Sequence, residues 1–225
     1  MPSLPAAVLW DMDGTLIDTE PYWMAAETAL VSRHGGTWSH EQALAMVGMG
    51  LEDAAAVFQA AGVRMAVHEI VDHLTAEVTA QLEARGNPYR PGAVAMLRGL
   101  RDAGIPTALV TMSMRSMTDV FVAQLGFDAF DVVVAGDDAT RPKPFPDPYL
   151  QAAAALGVAA EDTLAIEDSP NGMRAAVASG AVTLGIPLMV SLVGTGAHGL
   201  WDTLEGRDVA DLTDHFAAHR TGAAR

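Results

Sequence analysis

The sequence predicts an α/β fold in which a doubly wound parallel sheet carries a second, helical domain inserted after its first strand. Three observations lead to this prediction. Residues 6–12 read as a strand and are apolar except for Asp11, which is typical of a buried strand that ends at a polar residue. From about residue 18 to residue 87 the pattern is helical and contains no convincing strand. After Pro91, solid apolar runs alternate with amphipathic segments, which is typical of a parallel sheet covered by helices on both faces.

Four helical segments are predicted in the inserted region. The first begins with Pro21 after a charged turn and ends at a pair of glycines, as helices commonly do. The segments read PYWMAAETALVSRHG, SHEQALAMVG, LEDAAAVFQAAG and HEIVDHLTAEVTAQLEA. The breaker cluster RGNPYRPG then predicts a linker. We therefore expect residues 1–17 and 88–225 to form the core domain and residues 18–87 to form the helical domain.

The C-terminal part of the chain supplies the rest of the sheet. Helices are predicted at about residues 92–103, 116–125, 147–156 and 171–179. The strands between and after them read PTALVTM, DVVVAG, TLAIED and AVTLGIP, and the expected order in the sheet is 3-2-1-4-5. No element is predicted in the tail after Leu192, which contains the glycine-rich stretch GTGAHG, and its last ten residues are expected to be mobile.

The composition narrows the classes of partner. The 225 residues carry a formal net charge of −15, so nucleic acid and anionic membranes are poor partners. The chain has no cysteine, which excludes disulfides and cysteine metal sites. Residues 1–10 lack the features of a signal peptide, and no apolar run reaches the length of a membrane span. We expect a cytoplasmic protein that acts as a monomer.

Polar side chains that could bind a ligand or take part in catalysis follow four of the predicted strands. They are Asp11 and Asp13 after the first strand, Thr111 and Ser113 after the second, Lys143 after the third, and Glu167, Asp168 and Ser169 after the fourth. Because ligands bind beyond the carboxyl ends of the strands in an open parallel sheet, these groups should converge on one rim. Each alone has an ordinary explanation, such as a turn or a helix cap. Four carboxylates together repel one another, and they predict a hard cation such as Mg²⁺.

The basic residues contain one further signal. Twelve of the 13 basic residues are arginine, and Lys143 is the only lysine. An ammonium group is a compact point charge, whereas a guanidinium group is a wide planar fork. A single lysine in an arginine-rich composition therefore favours a role that arginine does not fill.

Four motifs now carry a family resemblance. The stretches DMDGTLIDTE, LVTMS, RPKPFPDPY and IEDSPNG resemble, in this order, the signature motifs of the haloacid dehalogenase (HAD) superfamily. The helical insertion resembles the cap of the branch that contains phosphoglycolate phosphatase-like, sugar-phosphate phosphatase and β-phosphoglucomutase-like proteins. The motifs span residues 11–172, and the resemblance implies a Rossmann-like HAD core with an inserted helical cap.

The resemblance also implies catalytic roles. Asp11 would be the nucleophile that forms an aspartyl-phosphate, and Asp13 would protonate the leaving oxygen and then activate water. The expected metal is Mg²⁺, and its expected ligands are Asp11, Asp13 through its backbone carbonyl, Glu167 and Asp168. Thr111 would bind a phosphoryl oxygen, and Lys143 would pair with the nucleophile and the phosphate. The expected substrate contacts are Thr111, Met112, Ser113, Arg115 and Lys143.

The expected reaction is Mg²⁺-dependent hydrolysis of a small phosphorylated metabolite, such as a sugar phosphate. The alternative is a sugar-phosphate mutase of the β-phosphoglucomutase type. The resemblance places Leu51 where such mutases have a cap arginine, Met114 where they have a basic residue, and Trp23 where they have a histidine. These differences favour hydrolysis over the handling of a bisphosphate. A phosphorylated signalling receiver is disfavoured because it lacks a helical insertion after the first strand.

Overall fold

Six parallel strands form the sheet in the computed structural model, which describes residues 4–220. The strands are β1 (Ala7–Trp10), β2 (Thr107–Val110), β3 (Val132–Val134), β4 (Thr163–Glu167), β5 (Val182–Gly185) and β6 (Gly199–Leu200). Their order is β3-β2-β1-β4-β5-β6, and each neighbouring pair is parallel. The predicted fold class and the order of the first five strands are confirmed. The two-residue strand β6 extends the sheet beyond the prediction.

Helices cover the sheet and fill the inserted region. They are α1 (Glu20–Arg33), α2 (His40–Leu44), α3 (Leu51–Ala60), α4 (Val67–Arg85), α5 (Ala93–Asp102), α6 (Arg115–Ala123), α7 (Asp147–Leu156), α8 (Pro170–Ala178) and α9 (Val209–His219). Each helix predicted from the sequence is present within a few residues of its expected bounds. None of the described helices combines the length and the apolar character needed to cross a membrane.

Alternate residues of β1 pack on opposite faces of the sheet. Val8 and Trp10 belong to the apolar cluster that includes residues of α5 and α6. Ala7 and Leu9 belong to a second cluster, which includes Tyr149 on α7 and residues of α8. All four β1 residues are fully buried. A central strand with two buried faces has no solvent side, which explains the continuous apolar run in its sequence.

Helices α1 to α4 form a cap between β1 and β2. Within the cap α4 packs against α1 and α3, and it also contacts α6 of the core. The two chain crossings between cap and core lie side by side, because the Asp18 amide donates to the Pro88 carbonyl at 2.8 Å and Ile17 bridges Tyr89. The inserted helical cap is confirmed, whereas the domain boundaries at 17/18 and 87/88 stay a prediction.

The C-terminal segment is more ordered than expected. Helix α9 is capped by the Asp208 carboxylate, which accepts hydrogen bonds from the backbone amides of Ala210 at 2.9 Å and Asp211 at 3.1 Å. Its apolar residues Leu212 and Phe216 are buried against the core. The prediction of a mobile end is therefore wrong for residues 216–219, which are helical. Residues 221–225 lie outside the described residues.

Candidate active site

The loops after the central strands open into one cavity between the sheet and the cap. Among the residues predicted to meet at this rim or to contact the substrate, eight line this cavity: Asp11, Asp13, Thr111, Met112, Ser113, Lys143, Asp168 and Ser169. Glu167 is fully buried and contacts Lys143. The topology thus brings the ends of β1, β2 and β4 together, as the sequence analysis expected.

A tight turn after β1 sets the positions of the first two acids. The Met12 carbonyl accepts the backbone amide of Leu16 at 2.8 Å, so the chain reverses directly after the strand. Gly14 adopts a φ of +81°, and a Cβ atom there would lie 2.0 Å from Asp168 Oδ2. Only glycine fits both the left-handed backbone and the close approach of that carboxylate. The Asp-Gly turn therefore has a structural function in holding the carboxylates close together.

Lys143 is the cationic centre of the site. Its Nζ donates to Asp11 Oδ1 at 2.7 Å, to Glu167 Oε1 at 2.6 Å and to the Val110 carbonyl at 2.9 Å. These contacts use all three donors of the ammonium group. Burial alone would lower the pKa of Lys143, but the carboxylates of Asp11 and Glu167 outweigh burial and raise it above its ordinary value. The lysine is thus held in its charged form directly beside Asp11.

The acidic cluster has features of a metal site. Oxygen atoms of Asp11, Glu167 and Asp168 lie within 4.8 Å of one another. Oδ2 of Asp11 and Oδ2 of Asp168 are buried and have no hydrogen-bond partner among residues 4–220. Burial and the charge of Glu167 raise the pKa of Asp11 to about 7, although Lys143 opposes this, and burial and Asp11 raise the pKa of Asp168. Two orphaned carboxylate oxygens on a hard-oxygen ligand set fit Mg²⁺, which would supply the missing positive charge.

Asp13 is held separately from this cluster by a ring of hydrogen-bond donors. Its Oδ2 accepts from Ser113 Oγ at 2.7 Å and from Thr111 Oγ1 at 3.3 Å. Its Oδ1 accepts from Thr19 Oγ1 at 2.5 Å and from Trp23 Nε1 at 3.4 Å. Asp13 is not part of the group of close carboxylate oxygens. The two acids of the first motif therefore differ in environment, which suits them to different chemical tasks.

Comparison with known proteins assigns the family. The family described as haloacid dehalogenase-like hydrolase matches residues 5–180. The chain belongs to this hydrolase family. The plasmid-encoded protein CbbY of Cupriavidus necator (strain ATCC 17699 / DSM 428 / KCTC 22496 / NCIMB 10442 / H16 / Stanier 337) is 33% identical over 204 residues, which cover 82% of this chain and 79% of that protein.

Two further proteins are similar to this chain over most of their length. Validoxylamine A 7'-phosphate phosphatase of Streptomyces hygroscopicus subsp. limoneus is 32% identical over 182 residues, which cover 79% of this chain and 84% of that protein. A crystal structure of a CbbY mutant from Rhodobacter sphaeroides in complex with xylulose-(1,5)bisphosphate has a TM-score of 0.83 and 27% identity to this hydrolase, and the match covers 93% of this chain and 99% of that one.

Arg115 is the one predicted site residue that the structure places elsewhere. Its guanidinium group donates to the Asp138 carboxylate and, at 3.0 Å, to the carbonyl of Val133 in β3. Arg115 is absent from the residues that line the cavity. Its position at the start of α6 is as expected, but Asp138 turns the side chain toward the strand β3 and away from the other predicted substrate contacts.

Several residues of the site were not singled out from the sequence. Tyr149 is fully buried, and its hydroxyl donates to Glu167 Oε1 at 2.6 Å, so it shares that oxygen with Lys143. Glu20 and Glu27 of α1 line the cap side of the cavity beside Trp23, which the sequence analysis had already named. The signal for the α1 residues was their spacing, because positions three and seven residues apart lie on the same face of a helix. The signal for Tyr149 was weaker, since a tyrosine in a proline-rich helix start does not indicate a contact with a distant glutamate.

Proposed function

We propose that this hydrolase is a Mg²⁺-dependent phosphatase that cleaves a small phosphomonoester through an aspartyl-phosphate on Asp11. The observation that carries the proposal is the placement of Asp11. Its carboxylate lines the cavity, contacts the Lys143 ammonium and has one oxygen without a partner in the described part of the chain. A carboxylate nucleophile needs nearby positive charge to approach a phosphoryl group that is itself anionic. The similarity to a protein named as a phosphatase supports the same reaction.

The residues of this chain divide the reaction between them. A carboxylate oxygen of Asp11 attacks phosphorus, the ester P–O bond breaks, and Asp13 gives its proton to the leaving oxygen. In the second step Asp13 takes a proton from water, the water oxygen attacks phosphorus, and the bond to Asp11 breaks to release phosphate. Thr111, Ser113 and Lys143 line the cavity beside these acids. Their donors now point to Asp13, Asp11, Glu167 and the Val110 carbonyl, and a bound phosphoryl group would draw some of them to its own oxygens.

Asp11 and Asp168 would hold the metal, with Glu167 close to both. The ion would supply positive charge that screens the approach of the carboxylate to the phosphoryl group and balances charge on the phosphoryl oxygens. Glu167 already accepts hydrogen bonds on both oxygens, from Lys143 and Tyr149 on Oε1 and from Ser169 on Oε2. We therefore propose that Glu167 serves mainly to hold Lys143 and the metal ligands in place.

The cap limits the size of the substrate. The Gly48 carbonyl of the cap accepts a hydrogen bond of 3.0 Å from Asn171 Nδ2 of the core, directly beside the cavity. A cavity closed in this way suits a small metabolite, and a net charge of −15 disfavours nucleic acid. The cytoplasmic location and the monomeric state stay predictions from the sequence.

The mutase alternative is disfavoured by the lining of the cavity. Within the described part of the chain, Lys143 is the only basic residue that lines it. Leu51 and Trp23, which replace the expected basic groups, both line the cavity. With β-glucose 1-phosphate as substrate we therefore expect release of phosphate, if the sugar is accepted, in preference to glucose 6-phosphate. Efficient isomerisation primed by a bisphosphate would contradict this assignment.

Trapping of the covalent intermediate tests the proposal. The enzyme is mixed with an aryl phosphate and Mg²⁺, quenched in acid and digested, and the peptide that contains Asp11 is examined by mass spectrometry. We expect a phosphoryl adduct on this peptide that disappears on treatment with hydroxylamine, which attacks acyl phosphates. The variant Asp11→Asn should give no adduct and no turnover, because it lacks the attacking carboxylate. Turnover by a pure Asp11→Asn preparation would overturn the mechanism.

A further inference from the structure

The cap side of the cavity carries two buried carboxyl groups that the proposed reaction does not use. Glu20 and Glu27 both lie on α1 and line the cavity, and their exposed fractions are only 9% and 6%. Glu27 Oε2 accepts a hydrogen bond of 3.1 Å from Trp38 Nε1. Within the described residues, the Glu20 carboxyl group has no hydrogen-bond partner and no ion pair. The two acids are seven residues apart on α1 and line the same cavity as Asp13, with acceptor atoms that no described residue occupies.

The rest of the cap wall offers these acids no compensation. Its side chains are largely apolar and include Met46, Met49, Leu51, Phe58 and Leu74. Lys143 is the only basic residue in the lining of the described cavity, and its three donors are already directed to Asp11, Glu167 and Val110. A ligand that fills the cavity would exclude solvent from these oxygens, so it binds more favourably when it supplies hydrogen-bond donors to them.

A second negative charge on the substrate would be unfavourable in this cavity. A carboxylate or second phosphate would lose its hydration inside the cap, find no free cation, and lie beside two acidic side chains. Whether Glu20 and Glu27 are ionised or protonated, neither can balance such a charge. A hydroxyl group, in contrast, can donate a hydrogen bond to a carboxylate and accept one from a protonated carboxyl group.

We propose that Glu20 and Glu27 are specificity-determining residues that select phosphomonoesters whose leaving alcohol carries hydroxyl groups and no second anionic group. This inference rests on the proposed phosphatase function, because it assigns the alcohol of the phosphoester to the space that these two residues line. It separates this chain from the Rhodobacter sphaeroides protein crystallised with xylulose-(1,5)bisphosphate, a ligand with two phosphates. Specificity of this kind arises from rejection of the wrong ligand as much as from attraction of the right one.

A matched pair of phosphoesters tests the inference. Glycerol 3-phosphate and 3-phosphoglycerate share a three-carbon chain, a hydroxyl at carbon 2 and a phosphate at carbon 3, and they differ in a terminal hydroxymethyl or carboxylate group. Each is measured with Mg²⁺ as a substrate and as a competitive inhibitor of aryl phosphate hydrolysis. We expect the wild-type enzyme to favour glycerol 3-phosphate by at least about thirtyfold in kcat/KM or in the inhibition constant, with the difference mainly in KM.

Three variants test whether Glu20 and Glu27 cause the preference for glycerol 3-phosphate over 3-phosphoglycerate. The double variant Glu20→Gln/Glu27→Gln should reduce the preference at least about fivefold, because it removes both acids while keeping their shape. Leu51→Arg adds a cation to the same wall and should reduce the preference independently, so the test does not depend on one variant folding. Glu41→Gln on α2 is the control, since Glu41 is exposed and lies outside the cavity lining, and it should keep the wild-type ratio.

The outcomes separate the inference from the proposed function. If aryl phosphate is hydrolysed but the wild-type enzyme treats the two esters alike, or binds neither, the inference is overturned and the phosphatase assignment stands. The inference is likewise overturned if the preference is large but unchanged in the folded double variant, even where Leu51→Arg reduces it. If no phosphomonoester, including the aryl phosphate, is hydrolysed with Mg²⁺, the proposed function itself has failed.

Discussion

Replacement of Glu20 by glutamine should remove part of the loss of stability that the wild-type protein shows as the pH becomes alkaline. The Glu20 side chain is buried, and burial together with repulsion by Asp13 and Glu27 raises its pKa from 4.5 to about 8. The folded state therefore binds the Glu20 proton more tightly than the unfolded state does. As the pH rises from 4.5 to about 8, the unfolded chain loses this proton first, so the free energy of unfolding of the wild-type protein falls.

The pKa rise sets the size of the effect. Each pKa unit corresponds to about 1.4 kcal/mol, so a rise from 4.5 to about 8 corresponds to a loss on the order of 4 kcal/mol by pH 8.5. The loss is absent below pH 4.5, where both states hold the proton. A glutamine at position 20 does not titrate, and any cost of burying its amide is the same at every pH. The difference between variant and wild type should therefore depend on pH.

Urea unfolding in EDTA measures this difference. Wild type, Glu20→Gln and the exposed control Glu41→Gln are compared at pH 5.0 and at pH 8.5, with the free energy of unfolding extrapolated to water. We expect Glu20→Gln to gain about 3–5 kcal/mol relative to wild type between the two pH values, and Glu41→Gln to gain nothing measurable. A gain below about 1 kcal/mol for Glu20→Gln would refute the reasoning, because it would mean that the carboxyl group is solvated or already paired.

Three further predictions concern the reaction centre. EDTA should abolish activity and Mg²⁺ should restore it, whereas Ca²⁺ should inhibit because its larger and looser coordination misplaces the Asp11 carboxylate. Full activity in the presence of chelator would contradict the metal assignment. Lys143→Arg should lower kcat nearly as severely as Lys143→Ala does, because a guanidinium group does not fit the three contacts of the ammonium group. A near wild-type kcat in the Arg variant would mean that the single lysine is an accident of composition. Tyr149→Phe removes a buried 2.6 Å hydrogen bond to Glu167 and should lower the free energy of unfolding, measured by urea unfolding, by about 1.5–3 kcal/mol. An unchanged urea midpoint would show that this contact does not contribute to stability.

The position of the site could be predicted because parallel topology determines where strand ends meet. Thr111 lies 100 positions after Asp11, and Asp168 lies 57 positions after Thr111, yet each follows a strand of one parallel sheet. Once the alternation of strands and helices is recognised, their convergence requires no knowledge of side-chain packing. The same reasoning placed Lys143 at the rim, where it contacts Asp11 and Glu167.

Features that depend on a single tertiary contact could not be predicted in the same way. The start of α6 was predicted correctly, but the direction of Arg115 depends on Asp138, which lies in a loop whose path the sequence does not specify. Strand β6 has only two residues, which is too short for any alternation of polar and apolar positions. Helix α9 had a detectable signal in the cap formed by Asp208 and Asp211, followed by apolar residues at helical spacing, but the adjacent glycines obscured it.

The contacts of Asp13 couple the cap to the chemistry of the core. Helix α1 begins at Glu20, directly after Thr19, and the Thr19 hydroxyl donates to the same Asp13 oxygen that accepts from Trp23 on this helix. The other oxygen of Asp13 is held by groups of the core loop after β2. A rotation of α1 that opened the cap would therefore remove donors from one oxygen of Asp13 and leave the other oxygen unchanged. Donors from the cap and donors from the core therefore fix the orientation of the Asp13 carboxyl group together, and closure of the cap would complete this set of contacts. The helix that carries the proposed specificity residues is thus also the helix that helps to position the proposed general acid.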